Sequence, residues 1–229
     1  MRVLAILLLL AVTAWFFIDR RRSAPSLITR AEALAIAESY VTHEWIPAET
    51  NAFHGVDPAG IRVDTPDANY QPESEERGWW LAGQRNVGFP YKWGGFDTPD
   101  EFDRGLRAGR FAGDIYTVEK RRLLDDAVSA QAVGIDCSGY ISRCWKLPHS
   151  FSTRELPQLC DPVPDLAKLE PGDIFNIHNS HVRLFAGWAD DAHTTVRVYE
   201  ASARVIRHNI PLQPMLDQGY SAWRYRGMR

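Results

Sequence analysis

The chain has 229 residues, 45% of them apolar, with eight Trp and a formal net charge of −3. That size and apolar content support a sizeable core and argue against disorder, and the mildly acidic balance argues against a nucleic-acid partner. Three cysteines are too few for a disulfide framework, and their odd number leaves at least one thiol without an intramolecular partner.

The apolar run Val3–Ile18 is followed by Asp19-Arg20-Arg21-Arg22. It falls slightly short of the roughly 20 residues that a spanning helix needs. Arg2 supplies a positive start and Val12-Thr13-Ala14 a weak cleavage site, so residues 1–22 read as a signal peptide or a membrane anchor. The three arginines pull towards an anchor with the domain on the cytoplasmic side. The expectation is an exported domain, periplasmic or at the cell surface, either released or held at a membrane through residues 3–18.

Residues 23–87 read as an N-terminal helix followed by an irregular region. Thr29-Arg30-Ala31-Glu32 is a capping box, and Leu34, Ala37, Val41 and Trp45 recur at helical spacing, which predicts an amphipathic helix over 30–45. His43 and Glu44 at its end are expected to be solvated. Residues 46–78, rich in Pro, Asp, Asn and Gly, predict irregular chain with one short strand near Ile61–Val63.

In Gly88-Phe89-Pro90-Tyr91-Lys92-Trp93-Gly94-Gly95 the paired glycines allow a tight turn among aromatics that need a packing surface. Thr98-Pro99-Asp100-Glu101 starts another helix. It opens a charged insert at about 96–133, whose basic run Glu119-Lys120-Arg121-Arg122 reads as a solvated helix face. In Gly134-Ile135-Asp136-Cys137-Ser138-Gly139, Asp136 is a good N-cap. Cys137 then takes the first helical position, where the positive end of the helix dipole favours an anion. Tyr140, Ile141, Cys144 and Trp145 form the buried side of that helix. Cys144 is expected to pack inertly, and a Cys144–Cys160 disulfide stays open as an alternative.

Ser152-Thr153-Arg154-Glu155 predicts a short helix cut at Pro157. Beyond it the period changes: 173–177, 181–186 and 195–200 are strand-like, with two further strands at 203–206 and 222–225. Helices first and a meandering antiparallel sheet last make an α+β fold. A cysteine opening a helix and a later histidine opening a strand, Cys137 and His181, form the layout of a thiol nucleophile and its base. His181, Arg183 and Phe185 share one strand face; Val198, Glu200 and Ser202 share one on the next. His181 and Glu200 meet if those faces coincide in register. His193 is a rival third residue, and a zinc site on His178, His181 and Cys137 would require a turn at Asn179-Ser180. No metal and no cofactor is assigned.

Asp136-Cys137-Ser138-Gly139 resembles the nucleophile motif of the NlpC family of papain-like cell-wall cysteine peptidases. Pro90 to Gly95 looks like the family's aromatic-Gly-Gly segment. Leu169 to Ile174 looks like its Pro-Gly-Asp approach to a strand, His181-Val182 like its histidine strand, and Tyr199 to Ser202 like the segment that carries its third polar residue. The resemblance spans residues 88–202 and makes 88–229 an NlpC-like peptidase domain of papain-like fold, with the nucleophile helix on an antiparallel sheet. It implies Cys137 as nucleophile, His181 as base and Glu200 as the residue that orients it. Tyr91, Asp136 and Ser138 would surround the oxyanion and substrate, with the Cys137 amide as an oxyanion donor. Peptidoglycan stem peptides would be the substrate. Two features depart from the family pattern: the long interval from Gly95 to Cys137, and a Glu where His, Asn or Gln is usual. An amidase or acyltransferase on a non-wall amide or ester, and a non-catalytic wall-binding module, remain the alternatives.

Overall fold

The structure, a computed structural model, describes residues 27–70 and 78–229. The expected signal or anchor at 1–22, with the apolar run at 3–18, lies outside the described residues. Among those described, no helix is long and apolar enough to cross a membrane.

Helix α1 (Arg30–Val41) is opened by the Thr29–Glu32 box, with both reciprocal bonds formed. It stops short of residue 45 because the Thr42 amide and hydroxyl both donate to the Glu38 carbonyl and close the last turn. Trp45 instead belongs to β1 (Glu44–Trp45). The buried stripe is therefore Ala33, Ala37 and Tyr40, while Leu34 and Val41 are only partly covered. Small residues there allow a close helix contact, in which Tyr140 donates its hydroxyl to the Ala37 carbonyl at 2.9 Å. His43 departs from the solvated position expected of it. Its Nε2 lies 2.9 Å from Asp103 Oδ1, and its ring packs on Phe89 and Phe102. Glu44 is exposed and pairs with Arg85.

Strands β2 (His54–Val56) and β3 (Arg62–Asp64) pair antiparallel, so the strand expected near Ile61–Val63 has a partner in the stretch read as irregular. β4 (Asn86–Val87) pairs with β1. The insert contains α2 (Pro99–Arg107), β5 (Phe111–Ala112), α3 (Val118–Leu123) and β6 (Ala132–Val133), with β5 and β6 parallel. Its basic run is not wholly solvated, contrary to expectation. Lys120 is buried and ion-paired with the fully buried Asp114, whose carboxyl burial raises to about 6 against the attraction of Lys120. The two ends of the insert are clamped together. The Asp97 amide donates to the Gly134 carbonyl at 3.2 Å, and the Gly134 amide to Asp97 Oδ2 at 2.8 Å.

Helix α4 (Cys137–Cys144) buries Tyr140, Ile141, Cys144 and Trp145, the side its period predicts. Trp145 stacks on Tyr225 with ring centres 4.7 Å apart and donates to the Gly172 carbonyl. The Ser152–Glu155 cap leads into a single 3-10 turn, Leu156–Leu159. There follow β7 (Cys160–Pro162), β8 (Ile174–Asn176), β9 (Val182–Trp188), β10 (Thr195–Ala201), β11 (Val205–Pro211), α5 (Leu212–Asp217) and β12 (Ser221–Tyr225). The strands form one antiparallel sheet in the order β11-β10-β9-β8-β12-β7. The fold is α+β. Strand β7 was not expected; it is an edge strand, where a proline costs no ladder bond.

One face of the sheet buries Val182, Leu184, Tyr199 and Ala201 in the core that also holds α4 and the Ala33–Ala37–Tyr40 stripe of α1. The other buries Phe175, Phe185, Val196 and Val198 with Met215 of α5 and Tyr220. All three cysteines are free: Cys144 and Cys160 are buried apart in thiol form, and burial raises both.

Gly139 of α4 faces the Gly95 carbonyl so closely that a Cβ at 139 would lie 2.1 Å from its oxygen. The obstacle is backbone and cannot swing aside. Gly139→Ala is therefore expected to lower stability by about 3 kcal/mol, read as a fall in the urea unfolding midpoint.

Candidate thiol–imidazole site

Three chain segments meet at the start of α4. The Asp136 carboxylate accepts from the Gly139 amide at 2.6 Å and from Ser138 Oγ at 3.0 Å, which completes the N-cap and fixes Ser138 as well. Burial raises the Asp136 carboxyl against these bonds. Cys137 is thereby held at the first helical position, its amide among those with no partner inside the helix. The second segment is Pro90–Gly95, which runs beside Ile135: Tyr91 bridges Ile135 in parallel, and the Lys92 amide donates to its carbonyl at 3.0 Å. The Tyr91 amide donates to the Ala203 carbonyl, so the same segment is tied to the end of the sheet. Tyr91 is buried near Cys137. Burial first, then the charges of Cys137 and Asp136, push its phenol well above the ordinary range, so it remains a hydroxyl donor.

The third segment is the hairpin between β8 and β9. Asn179 takes a left-handed conformation, and the Ile177 amide donates to the His181 carbonyl at 2.9 Å. The turn at 178–180 thus exists, but no His, Cys, Asp and Glu group suited to a metal occurs among the described residues. His181 leaves this turn directly into β9. Its Nε2 lies 2.6 Å from Glu200 Oε2, and the residue lines the same cleft as Cys137. Burial alone would lower the imidazole. The charge of Cys137 and the hydrogen bond to it, joined by the bond and charge of Glu200, outweigh burial and hold His181 up at about 9.

The β9–β10 ladder pairs Phe185 with Val198 and Leu184 with Tyr199, which puts Arg183 and Glu200 on one face. The buried Glu200 serves as acceptor for three side chains. Besides His181, Arg183 Nε donates to Oε2 at 2.8 Å, and His208 Nε2 bonds Oε1 from β11. Burial pushes Glu200 up, but the bonds and charges of His181 and Arg183 prevail and hold it down at about 2. His193, the rival third residue, stacks on Trp188 in the β9–β10 turn and does not line the cleft. The structure brings Cys137, His181, Glu200, Tyr91, Asp136 and Ser138 together.

No protein-family model and no curated protein matches the chain.

Cys137 and His181 open onto a cleft of about 600 Å³. One wall comes from the insert, through Ile115, Tyr116, Arg121, Leu124, Asp125 and Val128; Pro66 and Tyr70 reach it from the N-terminal third, in which no chemistry was expected. Ser152, Thr153, Arg154, Asn179 and Ser180 line it elsewhere. Arg183 and His208 are site residues beyond those the sequence motifs mark. The strand alternation already carried the signal for Arg183, on the His181 face. His208 had none, because only the β10–β11 pairing brings it beside Glu200.

His181 at about 9 lies above its ordinary 6.5, so the stability its charged form contributes is complete below pH 6.5 and is lost as pH rises through about 9. Glu200 at about 2 lies below its ordinary 4.5, so its contribution is complete above pH 4.5 and is lost as pH falls through about 2. In Glu200→Gln the His181 imidazole is expected to titrate well below 9, and the unfolding midpoint should decline less between pH 7 and 9.5 than in the parent protein. An NMR titration of the ring protons and urea unfolding at both pH values check this.

Proposed function

We propose that the protein is a cysteine hydrolase of papain-like, NlpC-type fold that cleaves amide bonds in peptidoglycan stem peptides. The observation that carries the reading is the His181 imidazole, bonded to buried Glu200 through Nε2 and lining one cleft with the Cys137 thiol at the start of α4. The five NlpC-like segments between residues 88 and 202 support the substrate class, and the apolar run at 3–18 supports an exported location for the same protein.

In this reading the Cys137 thiolate attacks the scissile carbonyl carbon. The oxyanion that develops is met by the Cys137 amide and the Tyr91 hydroxyl. Imidazolium His181 gives its proton to the leaving amine, and the C–N bond breaks to leave a thioester on Cys137. Neutral His181 then takes a proton from water, whose oxygen attacks the thioester; the thiolate leaves and the acid product is released. Glu200 stays ionised throughout, holding the ring in place and stabilising its charged form, while Arg183 and His208 hold the carboxylate.

Cys137→Ala is expected to reduce hydrolysis by about 10³-fold or more while the variant still folds. Mass spectrometry of digested stem peptides, beside a panel of acylated small amides and esters, reads both the loss and the bond cut. An unaltered rate in the variant would remove Cys137 as the nucleophile. Turnover confined to the small-molecule panel would replace the wall peptide with a non-wall acyl substrate.

A further inference from the structure

The cleft wall built by the insert differs in chemistry from the rest of the cleft. Trp93, Tyr116, Leu124 and Val128 meet there, from chain segments on both sides of α2. Two of these are held in place by unusual means. The Trp93 indole N–H donates to the Leu124 carbonyl at 3.1 Å and its ring lies edge-on to Tyr116 at 5.7 Å. Leu124 has φ 54 and ψ −123, a conformation that a residue with a Cβ adopts only under constraint. A solvated turn would relax such a residue or place glycine there. Leu124 is nonetheless 38% exposed and Tyr116 51%, so large apolar groups are kept facing the cleft. Arg121 and Asp125 reach the same wall with opposite charges and favour neither sign of ligand.

We infer that this wall is a specificity subsite for a neutral, apolar group of the substrate, an aliphatic or aromatic substituent beside the amide that Cys137 attacks. Trp93, Tyr116 and Leu124 are its recognition residues. The occupant follows from continuity: the wall and the Cys137 thiol share one cleft, so a molecule whose carbonyl reaches the thiol can set its substituent against these rings. The subsite rests on the reading of Cys137 as the nucleophile and goes beyond it: a stem peptide offers this wall little more than alanine methyl groups, so a large apolar substituent points to the non-wall acyl substrate.

The test uses alkylation of Cys137 by iodoacetamide and by N-benzyl iodoacetamide, in which sulfur displaces iodide and the S–C bond forms as C–I breaks. Each rate is divided by that of free cysteine with the same reagent. The benzyl reagent is expected to gain about tenfold over iodoacetamide. Tyr116→Ser and Leu124→Gly should each remove most of that gain, and Leu124→Gly also relieves the backbone, so folding is not at issue. Val118→Ser, 79% exposed and off the cleft, should keep the gain. Equal normalised rates for the two reagents, or a gain that survives both variants, overturns the subsite while leaving the nucleophile standing. A Cys137 that reacts with iodoacetamide no faster than free cysteine overturns the nucleophile reading itself.

Discussion

The architecture depends on one backbone contact, the approach of Pro90–Gly95 to Gly134–Gly139. The Gly95 carbonyl lies where only a hydrogen on residue 139 fits, and the Asp136 amide donates to the same oxygen at 3.2 Å. That contact fixes where α4 begins and hence where the Cys137 sulfur stands. It also places Tyr91 beside the sulfur, because Tyr91 is held between Ile135 and Ala203. Glycine at both positions reflects packing of backbone on backbone, a demand that no side-chain adjustment can meet.

The same contact explains how the chain carries an insert so close to its most constrained loop. Asp97 and Gly134 are hydrogen-bonded neighbours, so the segment between them leaves and returns at one point. Loop-closure entropy grows only slowly with loop length once the ends are fixed. The insert joins the main core through Phe102, Leu106, Ala112 and Val133, and is tied down further by Phe111 stacked on Phe53 at 4.2 Å and Lys120 paired to Asp114. Its outer turn is free to line the cleft.

Electrostatics at the site centre on Glu200. A carboxylate buried to this degree is costly unless its oxygens are bonded and its charge matched. Arg183 supplies a permanent positive charge, while His181 and His208 supply ring nitrogens on the two oxygens. A neutral amide in that place would orient the ring but would lend its charged form less support. Glu at this position therefore goes with the arginine two residues after the histidine, and the two are best read as one unit.

Local chemistry in the sequence determined much of this protein. The caps at Thr29, Thr98, Asp136 and Ser152, the buried side of α4 and the β character of the last third depend on neighbours a few residues away, and the alternation that placed Arg183 and Glu200 on matching faces is a property of strands. Other features were decided by tertiary structure, because they rest on strand pairing and packing that no local period encodes. Trp45 lies outside α1 because it pairs with Asn86 of β4. His43 is covered because α2 brings Asp103 and Phe102 to it, and Lys120 is buried because Asp114 lies behind it. His208 joins Glu200 only through the β10–β11 register. Residue types and their spacing announced a thiol, a base and a carboxylate. Which side chains share the Glu200 carboxylate, and what walls the cleft, became fixed only when the sheet paired and the insert folded back on the Pro90–Gly95 segment, since contacts between remote residues leave no periodic trace in the chain.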